Sequence, residues 1–163
     1  MVVALVAFLV ASAVLFVWPS SDRLRPAGAI VSLNGQDENV RLALAESLAK
    51  RGYAPVLLIS RGAGWASCPD LPRIKVVCFI PHPSRTVGEV DFAARYARKH
   101  GITSLIFVAG HAQTTRARLL AHRCFSGQSM VVASAIPWSQ MPYQVLYEWG
   151  AMLKATLVDR GCS

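Results

Sequence analysis

Acidic residues are scarce in this chain. Nine Asp and Glu stand against 17 Lys and Arg, a formal net charge of +8. Charge of either sign is missing altogether from Val2 to Trp18. No group of His, Cys and Asp has metal-ligand spacing, so no metal is expected. There is no Gly-x-Ser-x-Gly elbow and no Walker A loop, which removes two common routes to hydrolysis. No Lys/Arg run is dense enough for a nucleic-acid tail, and aromatics are not interleaved with basic residues as in a stacking platform. Nucleic acid is therefore not an expected partner. Internal repeats and low-complexity tracts are also absent, and no motif names a cofactor.

What is present is a hydrophobic fraction of 53% and a mean hydropathy of +0.38 over 163 residues. That is enough for a packed core, and it excludes disorder. The basic balance suits anionic lipid or an anionic small molecule. Residues 1–20 read as a membrane anchor or signal segment, 21–28 as a polar linker and 29–163 as an α/β domain. The uncharged run from Val2 to Trp18 would reach about 26 Å as a helix, close to a bilayer core. It predicts one N-terminal transmembrane helix with Trp18 at the interface. Two alternatives stay open. Ala11-Ser12-Ala13 has the form of a signal cleavage site, and a buried core helix is the third reading. Arg23 and Arg25 follow the run, which argues for a cytoplasmic domain, so orientation is contested within the sequence itself.

Beyond the linker, short apolar runs alternate with helical patterns. Strands are predicted at Ala29 to Leu33, Pro55 to Ser60, Lys75 to Ile80, Leu105 to Ala109 and Ser129 to Ser134. Helices are predicted at Glu38 to Arg51, Thr86 to His100, from about Thr115 onward, and at Tyr143 to Val158. Trp65 to Arg73 reads as irregular. This alternation predicts a Rossmann-like three-layer sandwich with a mainly parallel five-stranded sheet. Right-handed crossovers bring four polar loops to one edge: Asn34 to Asn39, Ser60 to Gly64, His82 to Glu89 and Gly110 to Arg116.

Several of these loops carry motifs. They are Ile30-Val-Ser-Leu-Asn-Gly35 with a following Arg41, Leu58-Ile-Ser-Arg-Gly62, Ser84-Arg-Thr-Val-Gly-Glu89 and Phe107-Val-Ala-Gly-His-Ala-Gln-Thr-Thr-Arg-Ala117. In order and spacing they resemble the SanA/ElyC/YdcF-like bacterial envelope proteins, a domain of unknown function. The resemblance covers about Ala29 to Leu157. It implies a Rossmann-like fold, an envelope location and a link to cell-wall or barrier maintenance. With the uncharged N-terminal run, it sets the expectation of a single-pass protein of the bacterial cell membrane whose domain lies on the extracytoplasmic side. Where that family commonly has Val-Thr-Ser and then a His three residues before the Arg, this chain has Ala109, Gly110 and Gln113. His111 lies nearby but out of register.

An anion-binding cleft is expected from Asn34, Ser60, Gly62, Thr86, Glu89, Gln113 and Arg116, with Glu89 and His111 as candidate proton carriers. Arg116 is the expected fixed cation, because a cation in the first turn of a helix opposes the dipole and calls for an anionic partner. Bland readings stand beside these. Thr86 and Glu89 fit a capping box. Arg116 could pair with Glu89. Gly62 and Gly64 could simply form a tight turn. His82 and His111 could be ordinary loop histidines, and Arg118 and Arg123 solvated ones. Four cysteines suit an oxidising compartment, and Cys68 with Cys78 is the expected pair. Two functions follow. One is an enzyme acting on a phosphate-bearing, lipid-linked wall precursor at the membrane. The other is a non-catalytic module binding a nucleotide-like ligand or an envelope partner.

Overall fold

Seven consecutive residues, Ser104–Gly110, form the central strand β4, and six of them, Leu105 to Gly110, are buried. The computed structural model describes residues 1–62, 68–159 and 161–162. Gly64, and Trp65 to Ser67 of the stretch read as irregular, lie outside the described residues. The other strands are β1 (Ala29–Ser32), β2 (Val56–Ser60), β3 (Lys75–Phe79) and β5 (Gln128–Ser134). All pair in parallel, in the order β3-β2-β1-β4-β5. The chain winds outward from β1 to β3, then crosses back to β4. The gap between β1 and β4 is therefore the switch point at which α/β sheets open a crevice.

The apolar runs are strands because both faces of the sheet are covered. Leu105, Phe107 and Ala109 point to one face, where α3 (Thr86–Lys99) and α4 (Thr114–Cys124) pack with Ala155 of α5 (Met141–Leu157). Ile106 and Val108 point to the other, against Ala45, Leu48 and Ala49 of α2 (Glu38–Lys50). Phe107 is fully buried. Truncating it to Ala would cost about 3–5 kcal/mol. Gly52, at φ +81°, ends α2 in the left-handed conformation that a side chain would resist.

The N-terminus departs from expectation. It is an 11-residue α-helix, α1 (Val2–Ser12), continued by a five-residue π-helical turn, Ala13–Val17. Among the described residues no helix is long and apolar enough to cross a membrane. The single spanning helix expected over Val2 to Trp18 is thus not what the structure contains. The aliphatic side chains of Val2, Val3, Leu5, Val6, Leu9 and Val10 are exposed, whereas Phe16 is fully buried. Trp149 of α5 explains the contrast. Its ring stacks on Phe8 at 5.3 Å and meets Phe16 edge-on at 5.4 Å, and its Nε1 donates to Ser12 Oγ at 2.9 Å. The end of the segment is docked while its beginning is not.

Two disulfides are present. Cys68–Cys78 closes a short loop onto β3, and Cys124–Cys162 ties the end of α4 to the chain beyond α5. Arg118 and Arg123 are not merely solvated. Arg118 donates to Ser20 O and pairs with Asp22, while Arg123 donates to Ala155 O and Asp159 O. Cys124–Cys162, Arg118 and Arg123 therefore tie α4 to segments from both ends of the chain.

Candidate anion-binding cleft

The carboxyl ends of β1 and β4 open into a cavity of about 820 Å³, within the range of small-molecule sites. Asn34 and Gly35 follow β1, Thr86 and Glu89 start α3, and His111 and Gln113 follow β4. Arg116 stands in the first turn of α4. All seven line the cavity, together with Arg41 of α2 and Glu148 of α5. Ser60 and Gly62 do not. Gly62 lies beneath Asn34, a Cβ there falling 3.5 Å from Asn34 Nδ2. His82 is exposed and outside the wall.

The capping box is absent. The residue capping α3 is Arg85, and no side chain caps the helix. Thr86 Oγ1 instead accepts from Arg116 Nη1 at 2.6 Å and from Gln113 Nε2 at 3.0 Å. Both of its lone pairs are used, so its own O–H remains as a donor. Glu89 Oε1 accepts from the Asn34 amide at 2.6 Å. Thr86 and Glu89 thus serve the cleft rather than the helix end.

Arg116 does not pair with Glu89. It forks onto Glu148, Nε to Oε2 and Nη2 to Oε1, both at 2.8 Å. Burial alone would lower its pKa. The hydrogen bonds and charge of Glu148 outweigh that and hold it above the ordinary value. Its charge is therefore neutralised within the protein, and it is not the fixed cation waiting for a ligand.

Arg41, which is 3% exposed, has no such carboxylate partner among the described residues. Its Nη1 donates to Gln113 Oε1 at 3.2 Å and its Nη2 to the carbonyl of Gln36, both neutral acceptors. Its Nε is buried without a partner. Glycines make the room. A Cβ at Gly110 would lie 3.0 Å from Arg41 Nη1, and one at Gly35, where φ is +134°, 3.3 Å from Nη2. Burial pushes the Arg41 pKa down, opposed through space by Glu89, Glu38 and Asp37. Gln113 completes a chain of buried bonds. Its side-chain oxygen also accepts from the Gly110 amide, and its nitrogen reaches Thr86.

Glu89 is 3% exposed, and burial raises its pKa. Ser60, the Asn34 amide, Arg41 and Arg116 oppose the shift without cancelling it. Ser60 Oγ is close enough to favour the charged form but forms no hydrogen bond of full geometry. A carboxyl held toward its neutral form is a proton donor. His111 is half-buried, with Nε2 at 2.8 Å from the carbonyl of Val17. Among the described residues no group of three or more His, Cys, Asp or Glu is placed to hold a metal.

Sequence reasoning named neither Arg41 nor Glu148 as part of the site. Both left a signal. Arg41 is in phase with Ala45, Leu48 and Ala49, the buried side of α2, and Glu148, the lone acid of α5, is in phase with its buried Met141 and Ala155. A charge in phase with a buried face needs a partner. No protein-family model, curated protein or solved structure matches this chain.

Proposed function

We propose that the cleft binds a phosphate-bearing anion and that the chain works at a membrane in the cell envelope, on a ligand such as a lipid-linked wall precursor. The observation that carries the reading is the pair of buried arginines, one matched by a carboxylate and one not. Arg41 offers its unpartnered Nε and a charge free of any ion pair, and Thr86, linked to it through Gln113, offers an O–H. An arriving phosphate would satisfy both. Two features support the setting. The exposed aliphatic side chains of α1 suit contact with lipid, whether lying in its surface or as part of an anchor. Two disulfides suit an oxidising compartment.

Glu89 as proton donor and His111 as acceptor favour an enzyme. A binding module for a nucleotide-like ligand or an envelope partner is favoured by one observation: no nucleophile hydrogen-bonded to a base is found among the described residues. Calorimetric titration with inorganic phosphate tests the shared premise. Arg41→Met should lose at least tenfold in affinity, the lower end of what a charge-assisted bond contributes. Equal binding by parent and variant would end the reading.

A further inference from the structure

The last carbonyls of a helix have no partner within it. In the N-terminal segment two of them find partners in the loop and first turn that follow β4. Val17 O is 2.8 Å from His111 Nε2, and Leu15 O accepts from Thr115 Oγ1. A carbonyl can only accept, so His111 must carry a hydrogen on Nε2. In the neutral ring that leaves the lone pair on Nδ1. Among the described residues nothing bonds to Nδ1, and His111 lines the cleft.

We propose that the N-terminal segment is a working part of this site, with Val17 as the positioning residue that makes His111 a proton acceptor through Nδ1. Bases in active sites are usually oriented by a third group; here the group is a backbone carbonyl. Taking a proton from a ligand hydroxyl or a water would leave an imidazolium whose Nε2–H still donates to Val17 O, so the ring need not turn during the transfer. The carbonyl is held in turn. Fully buried Phe16 seats on Trp149, Ser12 bonds Trp149 Nε1, and Thr115 holds Leu15 O. Trp149 adjoins Glu148, so α5 carries both this seat and the partner of Arg116. A cut after Ala13 would remove Ser12 and Phe8 from the seat. This role therefore requires that the segment be retained in the working protein.

The base role rests on the cleft being the functional site; the tautomer does not. Full-length protein labelled with 15N-histidine, held in detergent micelles at alkaline pH, should show His111 as a single Nε2–H tautomer by long-range proton–nitrogen correlation. A ring protonated on Nδ1 would overturn the proposal. Phe16→Ala, or Thr115→Val should the first fail to fold, should turn the single species into a mixture while the far-ultraviolet dichroism stays that of the parent. A single unchanged tautomer in a folded variant would also overturn it. Phosphate titration of the same samples separates the two ideas. In the parent protein, absence of the Nε2–H tautomer with phosphate still bound sinks this inference alone, and the right tautomer with no phosphate bound sinks only the cleft reading.

Discussion

Arg41 and Arg116 sit in one cleft, yet they solve burial in opposite ways. Arg116 meets a carboxylate of α5 in a two-bond fork and gives its third nitrogen to Thr86. Arg41 meets only a side-chain amide oxygen and a backbone carbonyl, in a slot left by two glycines. Residue type and burial are the same; what differs is whether the fold supplies the counter-charge. A matched cation holds helices together, whereas an unmatched one is kept at a cost in stability and is worth keeping where a ligand completes it.

That contrast is sharpest under truncation of the matched pair. Glu148→Ala would strand Arg116 as an uncompensated buried charge, and urea denaturation should show a loss of about 3–5 kcal/mol. Arg116→Ala should cost a similar amount, so it does not leave the fold intact, as a free ligand-binding cation would. A Glu148→Leu and Arg116→Met double variant should recover most of the loss. If Glu148→Ala is neutral, the two arginines are not different in kind.

Arg41→Met should behave in the opposite sense. Chemical denaturation should place its stability within about 1 kcal/mol of the parent or above it, because a poorly matched buried charge has been removed. A loss as large as that of Glu148→Ala would show that Arg41 is structural too.

Glu89→Gln gives the smallest shift and tests the acid. Its folded pKa is raised by burial, so the folded state holds the proton more tightly than the unfolded one. The stabilising contribution is complete below the ordinary glutamic acid range and fades as pH rises through the folded value. Gln mimics the neutral acid and can still accept from Asn34. At pH 7 to 8 the variant should melt higher than the parent, with the difference vanishing as pH falls through the ordinary glutamic acid range. A variant that melts lower at pH 8 would mean that the carboxylate is the favoured form.

Much of the fold was legible in the residues, because strand and helix follow from periodicity. Leu105 to Ala109 reads as a strand covered on both faces, and the turn glycines Gly52 and Gly101 stand where helices stop. The parallel sheet followed from alternation, and with it the edge on which the polar loops converge. Asn34, Thr86, Glu89, His111, Gln113 and Arg116 could be placed near one another for that reason alone. Their pairing could not. Which carboxylate reaches Arg116 depends on where α5 lands, and α5 is placed by contacts 32 residues away in sequence and more. Whether Thr86 caps its own helix or faces the cleft depends on Gln113 arriving from a different strand. The apolar N-terminus read as a simple span because hydropathy records side chains one at a time. Only the packed structure shows Phe16 leaving that surface for Trp149 and a backbone carbonyl arriving at His111. Local sequence sets which elements form, through periodicity and turn chemistry. Charge matching and tautomers are set by partners far apart along the chain, and those exist only once the layers have packed.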